Sequence, residues 1–188
     1  MDRKLSSEFR LTGKLLIFSS VIFFVAAMMF TIRFLWELPI GRTPSFFLWE
    51  RTFVIAALLA TLLSFTKFRK VLEAAGDDIL ASMALVLFLV AVVLAVVAET
   101  LSFPRDNIAY PPIVAYVILS FLGQAIFGVA ILCTGLLPGW VGWVAVIWNL
   151  ATLVFLIIAR PQDMYYPWLH YIAPLLMGIA LLRKGETR

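Results

Sequence analysis

The sequence predicts an all-α polytopic membrane protein, a single domain over residues 1–188 built as a bundle of six transmembrane helices. Three observations carry this. Residues 107–159, between Asp106 and Arg160, run for 53 positions without one Asp, Glu, Lys or Arg. About 20 helical residues cross a bilayer core of about 30 Å, so the run holds two crossings and a tight turn. The turn is written as Thr134-Gly135-Leu136-Leu137-Pro138-Gly139. Second, the chain is 63% hydrophobic with a mean hydropathy of +1.03, more apolar surface than a soluble fold, which must keep a polar exterior, has use for. Third, uncharged windows of near-spanning length recur on both sides of the long run.

The first window, residues 15–32, lies between Lys14 and Arg33. Its 18 uncharged positions exceed the core of a signal peptide, and no small-x-small site closes it, so it reads as a retained helix over about 15–37. The second window, 52–66, is 15 residues, or about 22 Å of helix. It spans only when extended back to about 46, which draws Glu50 and Arg51 into the membrane. Thr43-Pro44 before it reads as a cap followed by proline at the first helical position. The remaining helices are expected at about 79–99, 110–133, 139–159 and 164–182. Outer turns are placed at 38–43, 100–109 and 160–163, with Asp163 capping the last helix. The inner segment 67–78 is the only polar connection of any length. Alanines 84, 91, 95 and 98 fall on one face of the third helix and predict a close packing seam.

Charge sets the expected orientation. With six spans, one side receives Arg3, Lys4, Arg10, Lys14, Lys67, Arg69, Lys70, Arg183, Lys184 and Arg188, ten of the fifteen basic residues and all five lysines. The positive-inside rule makes that side cytoplasmic, with both termini there and the protein in the inner, cytoplasmic membrane. The net charge of +4 is thus topology and attraction to anionic headgroups, and nucleic acid is not an expected partner. A single cysteine, Cys133, excludes an internal disulfide and a thiol redox pair.

The outer half collects Arg33, Arg42, Arg51, Arg105 and Arg160 against Glu37, Glu50, Glu99, Asp106 and Asp163. Arginine without lysine favours forked, paired hydrogen bonding. Counted from Gly41, Arg33 and Glu50 stand at nearly one depth, and Glu37 lies one helical turn beyond Arg33 on the same face. Glu50 heads a stripe of Val54, Ala57, Thr61 and Ser64 that turns it into the bundle, while Arg51 is rotated by about 100°. Two readings stand for this cluster. It is either a clamp that fixes helix packing or a ligand or ion site, intramembrane charge being a functional candidate by default.

His170 is expected two turns into the sixth helix, sharing a face with Tyr166, Ala173 and Met177, with a kink at Pro174. The five tyrosines, 110, 116, 165, 166 and 171, all fall in the outer half; most read as an outer aromatic belt, the alternative being a polar vestibule in which His170 titrates or binds a ligand. A second polar pair, Gln124 and Asn149, stands about 12 residues either side of the Gly135–Pro138 turn. An interhelical side-chain hydrogen bond there is worth about 0.6–2 kcal/mol. One histidine cannot supply bis-histidine haem ligation or a paired-histidine zinc site. Metalloprotease, serine-hydrolase and phosphate-loop motifs do not occur in the sequence. No catalytic residue, metal or cofactor is expected.

The segment TGLLPGWVGW, Thr134 to Trp143, with the apolar helix after it, resembles the fourth-to-fifth helix turn of uncharacterised prokaryotic multi-pass proteins that share a membrane domain of unknown function. The likeness covers about residues 107–188. It implies six helices and brings no activity with it. The functional expectation is therefore a protein that binds or transports a small ligand or ion through an outward-facing polar site made from Arg33, Glu37, Glu50, Arg51, Glu99, Tyr166 and His170. The alternative is a non-catalytic accessory or assembly subunit meeting a protein partner or its own copies. A lipid-modifying enzyme using Glu50, Glu99 and His170 comes third.

Overall fold

The computed structural model describes residues 3–77, 79–101, 110–159 and 166–186. Six α-helices follow one another: α1 (Arg3–Phe30), α2 (Pro44–Glu73), α3 (Ile79–Leu101), α4 (Tyr110–Thr134), α5 (Gly139–Ala159) and α6 (Ile172–Glu186). Five of them are long and apolar enough to cross a membrane, so the chain is a multi-pass membrane protein. The sixth, α6, has 15 residues, about 22 Å of helix, and is preceded by a 3₁₀ turn at Pro167–Leu169.

Each helix packs chiefly on its neighbours in sequence, and α6 returns to α1, so the six form a ring. Contact is least extensive at α2–α3 and α5–α6. The ring therefore divides into two groups of three, α6–α1–α2 and α3–α4–α5, meeting along two sparse seams. Within each group glycines bring backbones together. A Cβ on Gly13 of α1 would fall 2.8 Å from the Gly178 carbonyl of α6, and one on Gly128 of α4 would fall 2.9 Å from the Gly142 carbonyl of α5. In a membrane this close packing takes the place of the hydrophobic effect between helices. Alanines 84, 91, 95 and 98 of α3 are all buried, and Gly123 of α4 sits against the Ala84 carbonyl.

Helix boundaries depart from the sequence expectation where local chemistry intervenes. Thr43 caps α2 by accepting from the Phe46 amide at 3.4 Å, with Pro44 as the first helical residue. At its other end α2 runs on to Glu73, so the polar 67–78 connection shrinks to a turn around Gly76 (φ 100°). Asp77 then caps α3, accepting from the Ala81 amide at 2.8 Å. The sixth helix does not begin near 164. Tyr166 is extended, as the residue before a proline prefers, and α6 starts only at Ile172. Pro174 thus falls in its first turn, where the missing N–H is tolerated, and no mid-helix kink is needed. The outer turns expected at 100–109 and 160–163, with the Asp163 cap and residues 164–165, lie outside the described residues.

Candidate functional site

At the end of α1 the helix widens. Residues Thr31–Leu35 form a π turn in which the Trp36 amide reaches the Thr31 carbonyl at 3.0 Å. Such turns insert one residue into the winding and often mark functional positions. The chain then reverses through a 3₁₀ turn, Pro39–Arg42, whose Gly41 lies so close to Arg33 that a Cβ would stand 3.0 Å from the Arg33 Cα.

From the π turn Arg33 forks onto Glu50 of α2. Its Nε donates to Oε2 at 2.6 Å and its Nη2 to Oε1 at 2.7 Å. One residue along α2, Arg51 donates to Glu99 of α3. The two pairs form one unit. The Phe47 ring lies 4.9 Å from the Arg33 Cζ and 4.6 Å from the Arg51 Cζ, and Phe34 covers Arg33 from 4.0 Å. Guanidinium groups against ring faces gain a cation–π attraction of about 0.5–2 kcal/mol, more when dry. Glu50 is 2% exposed and Glu99 6%. Two cations and two anions thus close on each other. The stripe predicted to carry Glu50 inward, Val54, Ala57, Thr61 and Ser64, is buried as a whole.

Glu37 does not belong to this unit. The π turn and the reversal after it leave Glu37 in the left-handed region at φ 49°, beyond the helix rather than one turn along it. Its side chain is 71% exposed and meets Arg42 at 3.4 Å, a solvated pair of little energetic weight. Arg105, Asp106, Arg160 and Asp163 lie outside the described residues.

His170 is fully buried, between the 3₁₀ turn and α6 rather than inside a helix. Its ring stacks on Phe121 (centroids 4.4 Å apart, 23° between planes) and on Tyr116 (5.4 Å, 13°), both from α4. Phe23 of α1 stacks on the neighbouring Tyr171 at 4.0 Å. The Tyr171 and Thr61 hydroxyls share a hydrogen bond of 2.9 Å. Tyr116 and Tyr171 are thereby core residues, 3% and 1% exposed, and not part of an interfacial belt. Tyr166 is half-buried and packs on the core from its extended segment. The side chains of Tyr110 and Tyr165 lie outside the described residues.

Gln124 and Asn149 do stand opposite each other in register, since Gly128 meets Ala145 four residues nearer the turn. They form no direct hydrogen bond. Asn149 Nδ2 turns back to the Ala145 carbonyl of its own helix at 2.6 Å. Gln124 Oε1 and Asn149 Oδ1 are buried without a partner. The helix backbone outcompetes the facing side chain for the asparagine amide.

Sequence reasoning missed Phe47, which joins the two pairs, and two tryptophan anchors. Trp168 Nε1 donates to Thr31 Oγ1 of the π turn at 2.9 Å, and Trp148 Nε1 donates to the Leu169 carbonyl at 3.0 Å across the α5–α6 seam. An indole N–H inside a membrane needs a partner, which was the available signal. Among the described residues no three of His, Cys, Asp and Glu converge as metal ligands. No protein-family model, curated protein or solved structure matches the chain, so the reading of its role rests on this geometry.

Proposed function

We propose that the chain is a non-catalytic membrane protein of the accessory or assembly type, and that its outer charged cluster is a clasp within the bundle rather than a ligand site. One observation carries this. Glu50 and Glu99 are both buried and both engaged by arginine, in pairs whose two cations share Phe47. A ligand would have to displace partners already held in charge-assisted bonds, forked in the Arg33–Glu50 pair. His170 belongs to an aromatic layer instead of the carboxylates, which also weighs against the lipid-modifying enzyme. The protein sits in the cytoplasmic membrane with its termini on the cytoplasmic side, by the distribution of its lysines.

A second reading has an observation of its own. Arg51–Glu99 crosses the sparse α2–α3 seam, where a carrier for a small ligand or ion would place an outer gate. Spin labels on cysteines replacing Trp49 and Val97, both exposed near that pair, separate the two in a Cys133→Ser background. A clasp gives a single narrow distance distribution in lipid nanodiscs. Two resolved populations would remove the clasp reading and leave the carrier.

A further inference from the structure

The opposite end of the molecule holds a cleft of about 470 Å³ at the α5–α6 seam. One wall is the α4–α5 turn with the start of α5, including Leu137 and Trp140. The other is the last part of α6, with the apolar Ile179 and Ala180 followed by Arg183 and Lys184 in its last turn. None of the described residues that line it is acidic. We propose that this cleft is a binding site for an anionic phospholipid, with one acyl chain along the apolar walls and the phosphate between Arg183 and Lys184.

Three features support that occupant over a soluble anion. The cleft is amphipathic in the order a lipid requires, apolar along the helices and cationic only where α6 ends. Trp140, which lines it, is 54% exposed, and a tryptophan so placed favours the headgroup level of a bilayer. The cations are also positioned. Lys184 donates to the Leu136 carbonyl and stands 5.9 Å from the Phe9 ring, while Arg10 and Ser6 hold the Gly185 carbonyl at 3.2 and 2.9 Å. An ammonium has three N–H donors, so Lys184 can bind a phosphate oxygen and the turn together. The end of α6 is thus fixed against α1 and the turn before any lipid arrives.

Each basic side chain at a membrane surface contributes about fivefold to the preference for an anionic headgroup. The test is native mass spectrometry of the full chain in detergent, titrated with phosphatidylglycerol and phosphatidylcholine of matched chains. Wild type should retain phosphatidylglycerol over phosphatidylcholine by about 25-fold, and Arg183→Gln with Lys184→Gln should erase that preference. Ile179→Trp fills the cleft with both charges kept, and should abolish retention of either lipid. Arg183→Gln alone, at an exposed position, should lose about fivefold without disturbing the turn. A preference unchanged in Ile179→Trp would place the lipid elsewhere and overturn the site. Glycerol phosphate or inorganic phosphate competing as well as phosphatidylglycerol would overturn the lipid as occupant.

Discussion

Breaking the Arg33–Glu50 pair from its two sides should have unequal consequences. The Glu50 side chain is 3% exposed and the Arg33 side chain 16%. Arg33→Ala leaves a carboxylate that has lost two bonds of 2.6 and 2.7 Å where water does not reach it. Removing one partner of a buried pair costs about 3–5 kcal/mol. Arg51, across the same Phe47 ring, offsets part of that charge, so the lower end, about 3 kcal/mol, is expected. Glu50→Gln is milder. The guanidinium keeps an amide oxygen to donate to, the faces of Phe34 and Phe47, and a short route to the outer surface along a flexible stem. Its cost should be about 1–2 kcal/mol. The double variant removes both charges and should cost less than the sum by about 1–2 kcal/mol. Unfolding in mixed micelles of dodecyl maltoside and increasing SDS, followed by tryptophan fluorescence, measures all three. Additive losses would mean the residues do not interact. A larger loss for Glu50→Gln than for Arg33→Ala would refute the burial argument.

Arg51→Lys keeps the charge but loses the planar guanidinium that lies against Phe47, and should lower stability by about 1–2 kcal/mol, with a broader Trp49–Val97 label distance as the second readout. Gly128→Val places side-chain atoms where a Cβ already stands 2.9 Å from the Gly142 carbonyl. It should cost about 1–3 kcal/mol in the same titration, whereas the change at Gly139, where a Cβ meets nothing within 4 Å, should be nearly silent. Gln124→Leu removes a buried oxygen that lacks a hydrogen-bond partner and should raise the midpoint, by about 1 kcal/mol or more; a fall would show that the amide is satisfied in the membrane. His170→Phe preserves the stack on Tyr116 and Phe121 and should stay within about 1.5 kcal/mol of wild type, a limit whose breach would give the imidazole a role beyond packing.

The helices could be read from the sequence because uncharged length is itself the physical requirement for crossing a bilayer. The Arg33–Glu50 pair was legible for a related reason, since both residues are tied to one hairpin and depth follows from counting. Glu37 was misread because counting assumes an unbroken α-helix, and nothing in Thr31–Leu35 announces a π turn. Arg51–Glu99 joins helices whose relative rotation no local pattern sets, so both residues were named but never paired. Tyr116 and Tyr171 illustrate the same limit. A tyrosine near a helix end fits either an interface or a core, and only the neighbouring helix decides.

The return of α6 to α1 also has a consequence in time. Helices leave the ribosome in chain order, so α1 enters the membrane with the Gly13 face that α6 will cover still facing lipid. About 140 residues separate the end of α1 from the start of α6, roughly 7–28 s of synthesis at about 5–20 residues per second. For that interval the nascent chain holds a hairpin and a growing arc instead of a ring. The α1 face around Gly13 is open to any other helix in the membrane, and Ser6 and Arg10 have yet to meet the Gly185 carbonyl. Closure of the ring therefore waits for α6, and the latest of the six helices completes the earliest.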